Sequence, residues 1–179
     1  GLSDPLAAVQ TMDEEVLKNI KRDNIKYSTM TDLLEQFHKN GNKACTDVLV
    51  GLPGESYESH LNSLRGVFRL GFDFIDVGNI RLLPGSEMES DEARKKFDLK
   101  TKYRLISGSY GRYDEMPAFE YEESVRSTAT ITENEMHHLR LVHFFILVLW
   151  NLGIAKPILK HLLLSEGRNP LDAILNICK

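Results

Sequence analysis

A repeated order of short apolar runs and amphipathic helical segments constrains the first half of the chain. Apolar runs at residues 6–9, 44–50 and 72–83 alternate with segments whose apolar residues recur at helical spacing. Strands separated by helices of this length pair in parallel through right-handed crossovers. The sequence therefore predicts three βα units of a parallel α/β sheet, as part of a barrel or of an open doubly wound sheet.

Local capping signals predict where the helices of this half begin and end. Asp13 begins a helix that runs through residue 20, because its carboxylate accepts N–H groups of the first turn. A second helix at 31–40 ends at Gly41, and a third begins after Ser56 and ends near Gly71. Residues 86–98 read as a further, charged helix.

The second half has a different character. Residues 99–123 carry four tyrosines among glycines and charged residues, and 107–115 could form a substrate loop over the edge of the sheet. Helices are then predicted at 132–151, where Thr132 and Glu135 form a capping box, at 157–164, and at 170–178. We predict an α/β region at 1–116 and a helical C-terminal module at 117–179.

Composition excludes several classes of protein. The chain has 179 residues, 42% of them hydrophobic, which fits one globular domain with or without an appendage. Its formal net charge of −4 gives no reason to expect a basic surface over the whole chain. Two cysteines, Cys45 and Cys178, cannot form a disulfide scaffold, and they predict a reducing, cytoplasmic setting.

Two segments admit more than one interpretation. The most apolar stretch, 139–152, contains Arg140 and His143 and is shorter than the ~18 residues typical of a membrane span. It is therefore read as a buried helix rather than a membrane segment, or else as an interface helix that a missing partner covers. The basic stretch 93–104 is interpreted as a solvated helix and loop, with contact to a nucleic acid as the alternative.

No metal site is predicted. His137, His138 and His143 share the long predicted helix, but none of their spacings is the four residues that would place two ligands on one helical face.

The turn at residues 48–56, VLVGLPGES, is the strongest local signal for a binding site. A strand enters a Gly-Leu-Pro-Gly turn and leaves into a helix, and Gly51 and Gly54 let a ligand or another backbone approach closely. Free N–H groups at a helix start favour an anionic or polar ligand. The alternative is a tight strand-to-helix connection and nothing more.

Three polar residues add to this signal. Asp47 interrupts an apolar run, where a carboxylate is costly unless it is paired or binds something polar. Gln10 ends the first predicted strand, and Arg22 follows the first helix.

Together these segments resemble a known enzyme family. AVQTMDEEVLKNIKRDNI followed by DVLVGLPGES resembles the second half of the radical S-adenosylmethionine (SAM) barrel. The resemblance is greatest to the branch of oxygen-independent coproporphyrinogen oxidase and the cobalamin-binding radical SAM enzymes, and it covers about residues 5–90. It implies that the predicted units are part of a (β/α) barrel.

The resemblance assigns SAM-binding roles to individual residues. Gln10 and Arg22 match positions that reach SAM, and Arg22 would meet its carboxylate in a pair that can be bidentate. Asp47 matches an acidic position on the ribose side.

The remaining matched positions surround the nucleoside. The turn residues match the segment below the adenosyl group, and two residues at the end of the third strand fall near the adenine. These residues are Gly51, Pro53, Gly54, Arg81 and Leu82.

The family's chemistry needs a cofactor that this sequence cannot hold. In the family a reduced [4Fe-4S] cluster cleaves SAM to a 5′-deoxyadenosyl radical, which abstracts hydrogen from the substrate. The cluster is held by a C-x3-C-x2-C motif, and this sequence has none. We therefore expect the C-terminal part of a longer enzyme, inactive alone, whose N-terminal half carries the cluster. A cobalamin domain could precede that half.

The expected partners follow from this interpretation. They are the missing N-terminal half and a small-molecule or tRNA substrate, with no membrane. Unpaired strand edges invite pairing between chains, so a homo-oligomer is also expected. The competing hypotheses are a cluster-free α/β module that binds a partner or a nucleotide, and a fragment of an unrelated (β/α)8 enzyme.

Overall fold

The computed structural model describes residues 5–179 and shows a mixed α/β architecture. The strands are β1 (Cys45–Val50), β2 (Phe74–Asn79), β3 (Arg81–Leu82), β4 (Lys100–Tyr113) and β5 (Met116–Ser127). The helices are α1 (Glu14–Asn19), α2 (Tyr27–Lys39), α3 (Tyr57–Leu70), α4 (Asp91–Lys96), α5 (Glu133–Phe145), α6 (Lys156–Glu166) and α7 (Pro170–Ile177).

The predicted parallel sheet is present, with two fully paired strands instead of three. Strands β1 and β2 pair in parallel and in register from end to end. The first predicted strand forms two isolated parallel bridges to the other side of β1, at Leu6 and Gln10. The structure shows this parallel unit and no closed barrel, so the barrel stays a prediction.

The Thr46 side chain takes the place of backbone pairing in the middle of the first strand. The Thr46 hydroxyl donates to the Ala7 carbonyl at 2.8 Å and accepts from the Val9 N–H at 3.3 Å. Because these backbone groups are satisfied by a side chain, only residues 6 and 10 are bridged to β1.

The prediction of one third strand over 72–83 was wrong in its second part. The run divides at Ile80, and β3 joins a separate antiparallel sheet with the order β3-β5-β4. Backbone bonds around Ile80 connect the two sheets, since its N–H donates to Val50 and its carbonyl accepts from Val125.

The substrate loop expected at 107–115 is instead the outer end of a long β-hairpin. Strands β4 and β5 pair antiparallel, and Tyr113 lies opposite Met116 at the turn. Most of the hairpin is exposed on both faces, so its sequence lacks the apolar alternation that identifies a half-buried strand. The boundary predicted between residues 116 and 117 falls at the start of β5, and it stays a prediction.

Three predicted helix starts are confirmed, whereas the second helix begins at Tyr27 instead of residue 31 and has no side-chain cap. Asp13 accepts from the N–H groups of residues 15 and 16, and Ser56 and Thr132 each form a capping box. Asn169 caps α7. The charged helix expected at 86–98 is broken at Ser90, which separates a 3-10 turn from α4.

The C-terminal helices pack against the outer face of the parallel sheet. Helix α5 continues into a π-helical segment, Ile146–Asn151, and only one face of the apolar stretch is buried. The exposed apolar side chains of the stretch are Leu141, Phe144, Leu147 and Leu152, so the prediction of a buried helix holds in part. Trp150 of this segment meets Phe68 of α3 edge-to-face at 5.0 Å. Among the described residues no single helix has the length and apolar character of a membrane span; α5 with its π-helical segment and α6 reach them only as a pair bent by 91°.

Asn151 closes the outer edge of β2. Its carboxamide accepts from the Ile75 N–H at 3.0 Å and donates to the Ile75 carbonyl at 2.8 Å. We expect Asn151→Ala to lower the free energy of unfolding by about 1–3 kcal/mol, because it leaves both backbone groups without partners. Denaturant unfolding measures this. Asn176→Ala is the control, since that exposed amide bonds only the Lys179 side chain, and an equal loss in both variants would contradict the role.

Arg94 anchors the base of the hairpin. Its guanidinium donates to both carboxylate oxygens of Glu123, at 2.6 and 2.7 Å, and the Thr101 hydroxyl also donates to this carboxylate. These contacts, the Arg94 hydrogen bond first, lower the pKa of Glu123 from 4.5 to about 2.

A depressed carboxyl pKa stabilises the fold above the unfolded value and stops doing so as pH falls through the folded value. We therefore expect Glu123→Gln to cost about 1–3 kcal/mol at neutral pH. The difference should shrink as pH falls below 4.5 toward about 2. Urea unfolding across this range checks it, with the exposed Glu120→Gln as control; a difference independent of pH would contradict the ion pair.

Candidate functional site

The parallel sheet has one buried face and one open face. Thr46, Val48 and Val50 point into the core, whereas the alternate side chains Cys45, Asp47 and Leu49 are only partly buried. Successive side chains of a strand point to opposite faces, so this alternation defines the two sides of the sheet. The open face is the surface that a barrel would enclose.

Two carboxylates stand side by side on the open face. Parallel pairing places Asp76 of β2 directly beside Asp47 of β1. Burial, and then the charge of Asp76, raise the pKa of Asp47 above 3.8. Such a pair favours a ligand that carries positive charge or hydroxyl donors, because either would relieve the repulsion.

Sequence reasoning missed Asp76, although a signal was present. Asp76 precedes Val77 in an apolar run, as Asp47 precedes Val48. Two matching Asp-Val pairs in consecutive parallel strands predict adjacent carboxylates once the register is known.

Gln10 is brought next to Asp47 through the backbone. Its N–H donates to the Asp47 carbonyl at 2.7 Å, and its own carbonyl accepts from Leu49 at 2.8 Å. Gln10 also has a φ of 59°, which is uncommon for a residue with a side chain. The structure therefore joins two of the predicted SAM-binding residues in one strand pair.

Arg22 lines a cavity to which the Asp47–Asp76 pair does not contribute. Its Nη2 donates to the Ala8 carbonyl at 2.7 Å, and its Nε is buried without a hydrogen-bond partner among the described residues. It lines a cavity of about 410 Å³ with residues from the first strand and helices α1 and α2, a lining that includes neither Gln10 nor Asp47. Its predicted role toward a SAM carboxylate is not tested by this placement and stays a prediction.

The Gly-Leu-Pro-Gly turn binds the carboxylate of Glu55, a residue of the same turn. The N–H groups of Gly51 and Leu52 donate to the Glu55 Oε2, at 2.8 and 3.3 Å. The N–H groups of this turn are therefore not free, because the buried Glu55 carboxylate accepts from them.

The glycines of this turn accommodate neighbouring side chains. A Cβ at Gly51 would lie 2.7 Å from the Met136 Cε, and a Cβ at Gly54 would lie 2.6 Å from the Asn19 Nδ2. The Asn19 amide also donates to the Pro53 carbonyl at 3.0 Å. These contacts agree with the tight-connection alternative; the cofactor role of Gly51, Pro53 and Gly54 stays a prediction.

A chain of buried side chains runs from this turn to a second cavity. The Glu55 Oε1 lies 2.9 Å from the His60 Nδ1, and the His60 Nε2 lies 2.9 Å from the His143 Nε2. Burial, then His60 and Arg140, hold the pKa of His143 well below 6.5, so this ring is neutral at physiological pH. Sequence reasoning saw His143 only as part of a helix face, since partners from α3 cannot be inferred from spacing.

The second cavity, of about 620 Å³, lies at the carboxyl end of β2, between the hairpin and α5. Arg81 and His143 both line it, whereas Leu82 is buried in the hydrophobic core. The two residues predicted near an adenine therefore point to opposite sides of β3.

The described residues contain no group of three or more His, Cys, Asp or Glu side chains placed to hold a metal ion. A [4Fe-4S] cluster is held by a set of cysteine thiolates. The chain has only Cys45, on β1, and Cys178, at the end of α7. The residues of this chain do not fit such a cluster.

Comparison with known proteins gives one informative similarity. No protein-family model matches the chain. The chain is similar to the probable threonylcarbamoyladenosine tRNA methylthiotransferase of Methanocaldococcus jannaschii, with 31% identity over 98 residues. The matched region covers 54% of this chain and 22% of that protein, so the chain spans only a small part of its relative.

The raised pKa of Asp47 gives a prediction for the stability of the fold. A raised carboxyl pKa penalises the folded state above the folded pKa, and the penalty vanishes below the unfolded value of 3.8. We expect Asp47→Asn to raise the free energy of unfolding at neutral pH and to leave it unchanged below pH 3.8. Urea unfolding at both pH values measures this. Asp32→Asn on exposed α2 is the control; destabilisation by Asp47→Asn at neutral pH would contradict the repulsion.

Proposed function

We propose that this chain is part of a radical SAM enzyme and that the open face of its parallel sheet forms one wall of the SAM site. The observation that carries the proposal is the Asp47–Asp76 pair, in which Asp47 belongs to β1, the strand that leads into the G-L-P-G-E turn, and Asp76 to the neighbouring β2. The similarity to a methylthiotransferase supports a relationship to the radical SAM superfamily.

The chemistry of that relative agrees with this proposal. Attaching a methylthio group to a carbon of a nucleoside replaces a C–H bond. Breaking such a bond is the step for which radical SAM enzymes generate a 5′-deoxyadenosyl radical, and this is the chemistry that the bound cofactor would supply.

The residues of this chain would bind and orient the cofactor. Asp47 would accept hydrogen bonds from the ribose hydroxyls, and the charge of Asp76 beside it would favour a cationic sulfonium. Gln10 is tied to Asp47 by its backbone bonds and would contribute its amide from the same strand edge. The proposed function of these residues is positioning, because the radical must be aimed at a single C–H bond.

The proposed enzyme needs a segment that supplies the cluster. We propose that an N-terminal half with the C-x3-C-x2-C motif covers the open face beyond the first strand, where the Leu6 side chain is exposed. The finer assignments are a branch shared with oxygen-independent coproporphyrinogen oxidase, a cobalamin domain, and self-association of the isolated chain. The first two rest on the sequence resemblance alone, and self-association rests on the expected unpaired strand edges.

The decisive experiment uses the full-length protein that contains this chain. After reconstitution with iron and sulfide, we expect it to bind SAM and, when reduced, to release 5′-deoxyadenosine. Asp47→Asn should weaken SAM binding by about tenfold to a hundredfold, because it removes a charge-assisted hydrogen bond from a partly buried site. Calorimetry measures the binding.

Asp32→Asn is the matched control, since it removes one carboxylate from the exposed side of α2 and should leave SAM affinity unchanged. Unaltered SAM affinity in Asp47→Asn would remove the proposed site. A full-length protein without the cysteine motif that still bound a nucleotide would instead favour the cluster-free binding module.

A further inference from the structure

The second cavity is lined by an unusual concentration of positive charge. Five cationic side chains contribute to its wall, in a chain whose formal net charge is −4. They come from β3, β4, β5 and α5, and are Arg81, Lys102, Arg104, Arg126 and Arg140. We call this cavity the basic cleft.

Strand register places most of these cations on one face of the small sheet. Ser124 of β5 lies between Arg81 of β3 and Lys102 of β4. In the next row Arg104 lies opposite Glu122. Because side chains alternate along a strand, both rows face the same way, with a hydroxyl between two cations.

The neighbouring acids do not balance these charges. Glu122 pairs with Arg81, at 3.0 Å, and with Arg104. Glu133 pairs with Lys102 at 2.8 Å and lies 3.7 Å from the Arg126 Nε. Two carboxylates therefore serve four cations on the sheet side of the cleft.

Arg140 on α5 adds a fifth cation with no carboxylate of its own among the described residues. Its Nε donates to the Met136 carbonyl at 3.4 Å. Burial, and then the charge of Arg126, lower the pKa of Arg140. The Arg126 Nε is itself buried without a hydrogen-bond partner among the described residues.

The remaining groups of the cleft do not cancel this charge. His143 is neutral, for the reasons given above, and His137 lies outside it, 3.4 Å from the Arg126 Nη2. Tyr103, Phe144 and Leu147 complete the wall with aromatic and apolar surface.

We propose that the basic cleft binds phosphate groups, with Arg126 and Arg140 as the principal ligands. Guanidinium groups match phosphate oxygens in charge and geometry, and two that have only the charge of Glu133 near them are stabilised when a further anion enters. Neither the turn nor the Asp47–Asp76 pair lines the cleft, and Arg126 and Arg140 are not among the residues matched to SAM, so this proposal can be tested separately from the SAM site.

The phosphate could belong to a nucleic-acid strand or to a small phosphorylated molecule. The test therefore uses two probes with the full 179-residue chain. One is a fluorescein-labelled oligouridylate of about ten nucleotides, followed by anisotropy. The other is inorganic pyrophosphate, followed by calorimetry.

We expect at least one probe to bind, with an affinity that falls as salt rises. Removing both principal cations in the double variant Arg126→Gln/Arg140→Gln should weaken that binding at least about tenfold. The matched control Arg69→Gln/Arg168→Gln removes two exposed arginines outside the cleft and should change it less than about twofold.

The pattern of binding identifies the source of the phosphate. Binding of the oligouridylate alone supports a nucleic-acid ligand, and binding of pyrophosphate alone supports a small phosphorylated ligand. If the double variant does not fold, two single variants test the proposal. Arg140→Gln should lose affinity for the probe, and Arg140→Lys should retain most of it. No binding of either probe, or equal losses in the control and cleft variants, would overturn the proposal.

Discussion

The in-register parallel pairing of β1 and β2 is the constraint on which the candidate site depends. It places apolar side chains of both strands in the core beneath the helices, and on the other face it places Asp47 beside Asp76. A shift of β1 by one residue would bury Asp47 and expose Val48. The packing of the core and the position of the acidic pair are therefore set by the same register.

The Glu55 carboxylate is the second feature on which the arrangement of the site depends, because it links the sheet to the helices that follow it. It fixes the tight turn after β1 through two backbone N–H groups and contacts His60 on α3. The Thr130 hydroxyl donates to its backbone carbonyl at 2.5 Å, from the loop before α5. One buried acid therefore joins the turn, α3 and the α5 region, whose His143 reaches the basic cleft.

Local signals in the sequence were sufficient for β1, for its parallel partner β2 and for three helix starts, but not for the start of α2, which has no side-chain cap. The caps at Asp13, Ser56 and Thr132 depend on neighbouring residues and were predicted correctly. The hairpin was missed because most of its residues are solvated on both faces, so its pairing depends on the partner strand and the turn rather than on an apolar face. The same limit applies to the charged helix, where Ser90 ends one helical turn and begins the next.

The candidate site was predictable only in part. Asp47 stood out because a carboxylate in an apolar run needs a reason, and the structure places it on the open face. The pairing with Asp76 and the convergence of Arg126 and Arg140 depend on register and on long-range packing, which no local pattern carries. The turn was recognised as an anion-binding motif, but the sequence could not reveal that Glu55 occupies it.

Side chains occupy the backbone hydrogen-bonding groups of the two outer edges of the parallel sheet to different extents. A further strand would therefore pair more readily at one edge than at the other. At β2 the Asn151 amide occupies both the N–H and the carbonyl of Ile75, as a neighbouring strand would. At the first strand the Arg22 guanidinium donates to the Ala8 carbonyl and, having no acceptor atom, leaves the Ala8 N–H to another partner. A further strand therefore meets less competition on the amino-terminal side, which gives any assembly built on this sheet a polarity.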